Sequence, residues 1–115
     1  MKKQIIEFKA DGQQLEMLTP FKSYAANTIS YIEARFTFAG DSWSGYSNIY
    51  AVWYTDAIQK GSEIIDGVTI IPAEVLARPG VLSVNLCANL ESDGILKARM
   101  TSYPVNVMQL KKAEV

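Results

Sequence analysis

Apolar and polar residues alternate along much of the chain, and a period of two is typical of a strand that buries one face. The alternation is clearest in residues 81–90, where Ser83, Asn85 and Asn89 occupy the polar face. We predict that this segment is an antiparallel strand with its apolar face in a core. That face consists of Leu82, Val84, Leu86, Ala88 and Leu90.

Two earlier segments carry strand patterns of different kinds. Residues 28–38 (TISYIEARFTF) are rich in β-branched and aromatic residues and also alternate. Residues 48–55 (NIYAVWYT) are apolar almost throughout, which is typical of a central strand covered on both faces. The predicted inner face of the first segment consists of Ile32, Ala34, Phe36 and Phe38.

Asp-Gly pairs predict tight turns between strands. A type I′ turn has positive φ at both central residues, and Asp followed by Gly tolerates this well. Asp11-Gly12 therefore predicts an opening hairpin in which Ala10 pairs with Gln13, and this register sets Glu7 against Glu16. Asp66-Gly67 predicts a second hairpin of the same kind.

A short helical turn is expected after the second hairpin. Pro72 cannot donate a hydrogen bond to a sheet, so it ends the preceding strand. Residues 73–77 (AEVLA) are good helix formers, and Pro79-Gly80 stops them. We predict one helical turn near 73–77.

The length of the loop after Leu90 can be predicted by comparing which residues of the two adjoining strands would share a face. A loop of two or four residues would place Lys97 and Arg99 beside the apolar face of the preceding strand. A three-residue loop, Ser92–Gly94, instead pairs Leu90 with Leu96, and its last residue is a glycine that tolerates positive φ. The same register pairs Ala88 with Ala98 and Leu86 with Met100.

The final strand is expected at the edge of a sheet. Pro104 requires a bulge or an edge position, and Val105 and Val107 continue the strand beyond it. Residues 102–110 carry almost no charge, whereas an exposed edge is usually protected by charge, bulges or short length. The opening strand is similarly apolar at Ile5 and Ile6. We predict that partner subunits cover these edges.

About eight to nine short strands separated by turns predict an all-β fold. We interpret it as an antiparallel, Ig-like β-sandwich with one helical turn, and a small closed barrel is the alternative. Residues 1–110 are expected to form a single domain, and residues 111–115 a short tail.

The composition of the chain limits the kinds of partner and reaction that we expect. The chain has 115 residues and a formal charge of −1, which favours neither nucleic acid nor an anionic membrane as a partner. No apolar run is as long as a membrane span. Histidine is absent, the one cysteine, Cys87, has no activating base, and no Asp-x-Asp cluster is present. We therefore expect no catalytic site, no cofactor and no metal.

An aromatic cluster is open to two interpretations. Five aromatic residues fall within residues 43–54, and an exposed row of rings would suit sugar stacking or a protein contact. Alternatively, the rings are core, with Trp53 inside and Trp43 folded over the edge of the sandwich. The cluster consists of Trp43, Tyr46, Tyr50, Trp53 and Tyr54.

The order of these motifs resembles a known family. A Gly-Asp-x-Trp-x-Gly-Tyr loop (Gly40–Tyr46) leads into Ala51–Trp53, and Ile71–Leu76 and Pro79–Val84 follow the Asp-Gly hairpin. This arrangement resembles the small β-sandwich domain at the N-termini of virion proteins from phages and prophages of Gram-positive bacteria, including upper baseplate, tail-fibre and head-fibre proteins. The resemblance covers roughly residues 40–107, and the opening hairpin fits it.

The resemblance implies a non-enzymatic particle component that docks onto other virion subunits, in several copies or as a homo-oligomer. Such a protein is made in the bacterial cytoplasm and resides in the virion. Because the sequence ends at Val115 without a stalk or head, a decoration or attachment role is expected. A free-standing carbohydrate-binding module is the alternative. The residues expected at the interaction surface are Trp43, Tyr46, Val105, Val107 and Met108.

Overall fold

The computed structural model describes residues 4–26, 31–46 and 48–112. Parts of three predicted segments lie outside these residues: the start of the opening strand at Lys3, residues 28–30 of the next long strand, and residues 113–115 of the tail. The last strand continues to Lys111, one residue into the predicted tail.

The described residues form ten strands and one 3-10 turn, so the expectation of an all-β fold is confirmed. Two of the strands, β3 and β6, are largely polar, and no apolar pattern in the sequence predicts them. The strands are β1 Gln4–Asp11, β2 Gln14–Met17, β3 Lys22–Ala25, β4 Ile32–Ala39, β5 Asn48–Tyr54, β6 Gln59–Ile64, β7 Val68–Ile70, β8 Gly80–Ser92, β9 Ile95–Thr101 and β10 Val105–Lys111.

The strands pack as two sheets. The first has the order β2-β1-β4-β7, and the second has the order β3-β10-β8-β5-β6, with β9 pairing the later part of β8. Two of the pairings in the described chain, β1 with β4 and β3 with β10, are parallel, so the sandwich is not purely antiparallel. Each parallel pair is joined through intervening strands, as parallel neighbours require.

Aromatic rings join the two sheets in the core. Phe8 and Phe36 are neighbours across β1 and β4, and their rings stack 4.7 Å apart at an interplanar angle of 11°. Trp53 of the second sheet lies edge-on to Phe8 at 6.1 Å, and its Nε1 donates a hydrogen bond of 2.9 Å to Ser62 Oγ. Trp53 is therefore a core residue, as the second interpretation of the aromatic cluster expected.

The strand β5 is central but not covered on both faces. It pairs with β6 and β8, and it buries Ala51 and Trp53 on the inner side. Tyr50 lies on the outer side and is exposed. Tyrosine and valine tolerate a half-exposed sheet face, so an apolar run did not distinguish a two-sided strand from a one-sided one.

The opening hairpin forms, with a register different from the predicted one. Asp11 pairs with Gln14, which leaves Gly12 and Gln13 as the loop. Glu16 consequently lies opposite Lys9 and not opposite Glu7, so the expected repulsion is replaced by an opposite-charge pair. The shift is two residues, and each side chain therefore keeps its predicted face.

The Asp66-Gly67 turn has positive φ at both residues, 53° and 78°, as predicted. The strands beside it separate at once: Ile65 forms a single bridge with Val68, β6 belongs to the second sheet, and β7 pairs with β4 in the first. This turn thus carries the chain from one sheet to the other. The predicted helical turn follows as a 3-10 turn at Ala73–Leu76.

The predicted inner face of β8 is confirmed as far as Ala88. The loop that follows has two residues, Asp93 and Gly94, since Ser92 pairs with Ile95. A bulge between Leu90 and Glu91 then shifts the register, so that Leu90 pairs with Ala98. The predicted loop length was wrong. The bulge keeps Ala98 and Met100 on the predicted apolar face, whereas Leu96 lies opposite Glu91 and shares the outer face with it.

Candidate interaction surface

The final strand does not lie at a sheet edge, which corrects the prediction. The strand β10 lies between β3 and β8, and β1 lies between β2 and β4. A bulge between Asn106 and Met108 turns both Val107 and Met108 into the core, where they are buried. Val105 remains half-buried at the start of the strand. The low charge of this segment therefore reflects burial within the chain.

The Trp43 loop folds back onto the sandwich. Trp43 is 3% exposed, and its Nε1 donates a 2.9 Å hydrogen bond to the carbonyl oxygen of Gly12 in the first turn. Its ring packs on Phe38 at 5.9 Å and on Tyr46 at 6.4 Å, with 56° between the planes of Trp43 and Tyr46. This geometry differs from the exposed, coplanar pair that sugar stacking on these two rings requires. A role of the half-buried Tyr46 in partner contact stays a prediction.

The far end of the β8–β9 hairpin is an exposed segment that carries three large apolar side chains. We call residues 89–98 the arm, and every residue from 89 to 96 in it is exposed. Leu90 is 38% exposed, Ile95 59% and Leu96 47%. The molecule measures 53 × 26 × 25 Å, so it is elongated. The alternating pattern assigned Leu90 and Leu96 to the core, and both are exposed. Leu96 is also on the opposite face from the predicted one, because it pairs with Glu91.

An open groove of about 620 Å³ runs along the outer edge of β2. The predicted site residue Val105 contributes to it, and Leu18 and Phe21 are exposed beside it. The pairing of β2 with β1 leaves the other edge of β2 without a strand partner among the described residues. The groove is lined by residues 14–21 together with Val105 and Asn106.

The titratable groups in the described part of the chain provide neither a cluster for a metal ion nor an activated thiol. No three Cys, Asp or Glu residues there lie close enough together to hold a metal ion. Burial raises the pKa of the Cys87 thiol, and the nearby Arg99 guanidinium only partly offsets this effect. The thiolate is thereby disfavoured at neutral pH.

Glu33 is a buried carboxylate on β4. Its Oε2 accepts a hydrogen bond from Arg35 Nε on the same strand. The positive guanidinium of Arg35 thus lies beside the buried negative charge of Glu33. Among the described residues, no helix has the length and apolar character needed to cross a membrane.

The fold is similar to that of one solved phage domain. The N-terminal domain of phage TP901-1 ORF48 superposes with a TM-score of 0.54 at 11% sequence identity, over 95% of this chain and 99% of that one. No family model matches the sequence, and no curated protein matches it. At this identity the likeness demonstrates a shared fold, and it extends over almost the whole of both chains.

Proposed function

We propose that the chain is a structural component of a phage or prophage particle that acts by docking onto other virion subunits and has no enzymatic activity. The observation that carries the proposal is the shared fold with a phage protein's N-terminal domain over nearly the full length of both chains. The order of motifs in residues 40–107, with its resemblance to attachment domains from phages of Gram-positive bacteria, supports the same class. The proposed site on the particle is a baseplate, tail or head-fibre attachment point.

The exposed apolar side chains of the arm are the surface that we assign to this docking. Exposed apolar side chains on a projecting hairpin are costly in water, and burying one large aliphatic side chain contributes about 1.5–3 kcal/mol. Leu90, Ile95 and Leu96 are three partly exposed side chains of this kind within seven residues, so each can contribute only part of that free energy. The half-buried Val105 and the groove beside β2 form a second contact surface in this proposal. Such a component is present in several copies per particle.

The test is whether the chain copurifies with particles. Lysates of a culture whose genome carries the coding sequence are fractionated on a density gradient, and mass spectrometry compares this chain with the major particle proteins. We expect several copies per particle. Recovery only among proteins that are not bound to particles would contradict the proposal.

A matched pair of variants tests the arm itself. Ile95 follows the Asp93-Gly94 turn in the arm, and Ile65 precedes the Asp66-Gly67 turn in the body, with 59% and 63% of their surfaces exposed. We expect Ile95→Asp to reduce incorporation into particles and Ile65→Asp to leave it unchanged. Equal incorporation of both variants would exclude the arm as the docking surface, while leaving the particle role intact.

A further inference from the structure

A small polar pocket opens on the outer face of the second sheet, where β5 begins and the arm leaves the body. Its volume is about 210 Å³. Asn48 and Asn89 lie directly opposite each other across β5 and β8. Tyr50 follows Asn48 along β5, and Glu91 follows Asn89 along β8, so the four side chains border one depression. This face of the sheet points away from the core.

The pocket holds hydrogen-bonding groups that the described protein does not use. Arg99 Nε donates a 3.1 Å hydrogen bond to Asn89 Oδ1, which orients the amide and leaves its Nδ2 as a donor. Within the described part of the chain, the side chains of Asn48, Tyr50 and Glu91 form no hydrogen bond or ion pair. Together they present amide donors, amide and carboxylate acceptors and a phenol around one space.

The ring of Tyr50 adds an apolar surface to this polar set. It is 40% exposed, although it sits in the middle of a central strand. A saccharide ring has one face of C–H groups and a rim of hydroxyl groups that both donate and accept. An aromatic ring packs against the former, and paired amide and carboxylate groups bind the latter.

Other ligand classes fit this pocket less well. The Glu91 carboxylate lines the pocket and repels phosphate and other anions. A calcium ion takes about 6–8 oxygen ligands, and one carboxylate with two amides, one of them held by Arg99, does not supply them. The volume lies below the roughly 300–1,000 Å³ of pockets for drug-sized ligands, so it suits a single ring.

We propose that Asn48, Tyr50, Asn89 and Glu91 form a binding subsite for one neutral saccharide ring, such as a terminal sugar of a cell-surface glycan. The site is separate from the Trp43 and Tyr46 rings, and the inference does not rest on the particle role. For a ligand of about a dozen non-hydrogen atoms, we expect a Kd in the millimolar range.

Nuclear magnetic resonance titration tests the proposal. The ¹⁵N-labelled full chain is titrated with glucose, galactose, rhamnose and N-acetylglucosamine, each to about 50 mM, well above the expected Kd. We expect at least one sugar to shift the backbone amide signals of residues 48–50 and 89–91 in a saturable manner. Absence of such shifts with all four sugars would overturn the proposal.

Variants separate this site from surface adsorption. Tyr50→Ala and Asn89→Ala should each weaken the affinity for the sugar at least about tenfold. The first variant removes the ring that packs on the sugar, and the second removes an amide that hydrogen-bonds to it. Tyr103→Ala removes another exposed tyrosine and should leave the affinity unchanged. The dispersion of the amide signals verifies that every variant is folded. Equal affinity in Tyr50→Ala and Tyr103→Ala would also overturn the assignment.

Discussion

The body of the sandwich and the arm share one strand, yet they differ in what covers it. Leu86 and Leu90 lie four residues apart on the same side of β8. Leu86 is fully buried between the sheets, whereas Leu90 is 38% exposed. The comparison shows that alternation identifies the apolar face of a strand and does not reveal how far the opposing sheet extends. An apolar face that continues beyond that sheet is available to a partner.

Two of the three Asp-Gly pairs, Asp66-Gly67 and Asp93-Gly94, show the same contrast in the backbone. Asp66-Gly67 has φ of 53° and 78°, and Asp93-Gly94 has φ of 55° and 76°. A Cβ atom at Gly67 would lie 2.8 Å from the Phe36 carbonyl oxygen, whereas none of the described atoms lies within 4 Å of a Cβ placed at Gly94. The same dipeptide is therefore enclosed in the body and open in the arm.

The largest expected difference concerns the two leucines of β8. Leu86→Ala removes a fully buried side chain and should reduce the free energy of unfolding by about 2–5 kcal/mol. Leu90→Ala should cost less than about 1 kcal/mol, because water already reaches the side chain. Urea unfolding of the two variants measures both. Similar losses would mean that the arm is packed in solution and that the contrast is wrong.

The sequence predicted the buried face of β8 and the turns of the body, because these features depend on neighbouring residues. Alternation placed Leu82, Val84 and Leu86 inside, and the Asp-Gly pairs located two of the turns. Sequence patterns did not predict the strand pairings that depend on segments distant in the chain. The polar segment at Lys22–Ala25 joins β10 as a parallel neighbour and removes the predicted edge, and no local pattern in β10 signals that partner.

The next prediction compares the two turn glycines. Gly67→Ala adds a left-handed backbone cost of about 1–2 kcal/mol to a steric clash with the Phe36 carbonyl group, and we expect a total loss of about 3 kcal/mol. Gly94→Ala carries the backbone cost alone, about 1–2 kcal/mol. Thermal unfolding distinguishes the two variants. If Gly94→Ala proves the more destabilising, the arm turn is enclosed by contacts that the structure does not contain.

The interaction surface was harder to predict than the fold, for a related reason. In the sequence, an aromatic or apolar residue that packs back onto the body looks the same as one that stays exposed. Trp43 folds back because its indole N–H has an acceptor in the first turn, a contact between residues 31 positions apart. Ile95 and Leu96 are exposed at the end of the β8–β9 hairpin, where a two-residue loop and a bulge set their register. Neither feature is visible in a window of neighbouring residues.

A smaller effect tests the contact of Trp43 with the first turn, which belongs to the body. Trp43→Phe keeps most of the buried ring and removes the hydrogen bond to the Gly12 carbonyl oxygen. We expect a loss of about 1 kcal/mol in the free energy of unfolding. Amide hydrogen exchange at Gln13 and Gln14 should also become faster. Unchanged stability together with unchanged exchange would show that the first turn does not depend on this contact.

The smallest expected effect on stability is at the tip of the arm, and it tests directly whether the arm is packed less tightly than the body. Leu96 is 47% exposed, so Leu96→Asp removes little buried apolar surface and should change the free energy of unfolding by less than about 0.5 kcal/mol. The same change at the buried Leu82 should prevent folding, because it places a charge in the core without a partner. Urea unfolding and circular dichroism compare the two variants under identical conditions. A loss of more than about 1.5 kcal/mol in Leu96→Asp would be too large for a surface position. It would show that the arm helps to hold the sandwich together and is not free for a partner.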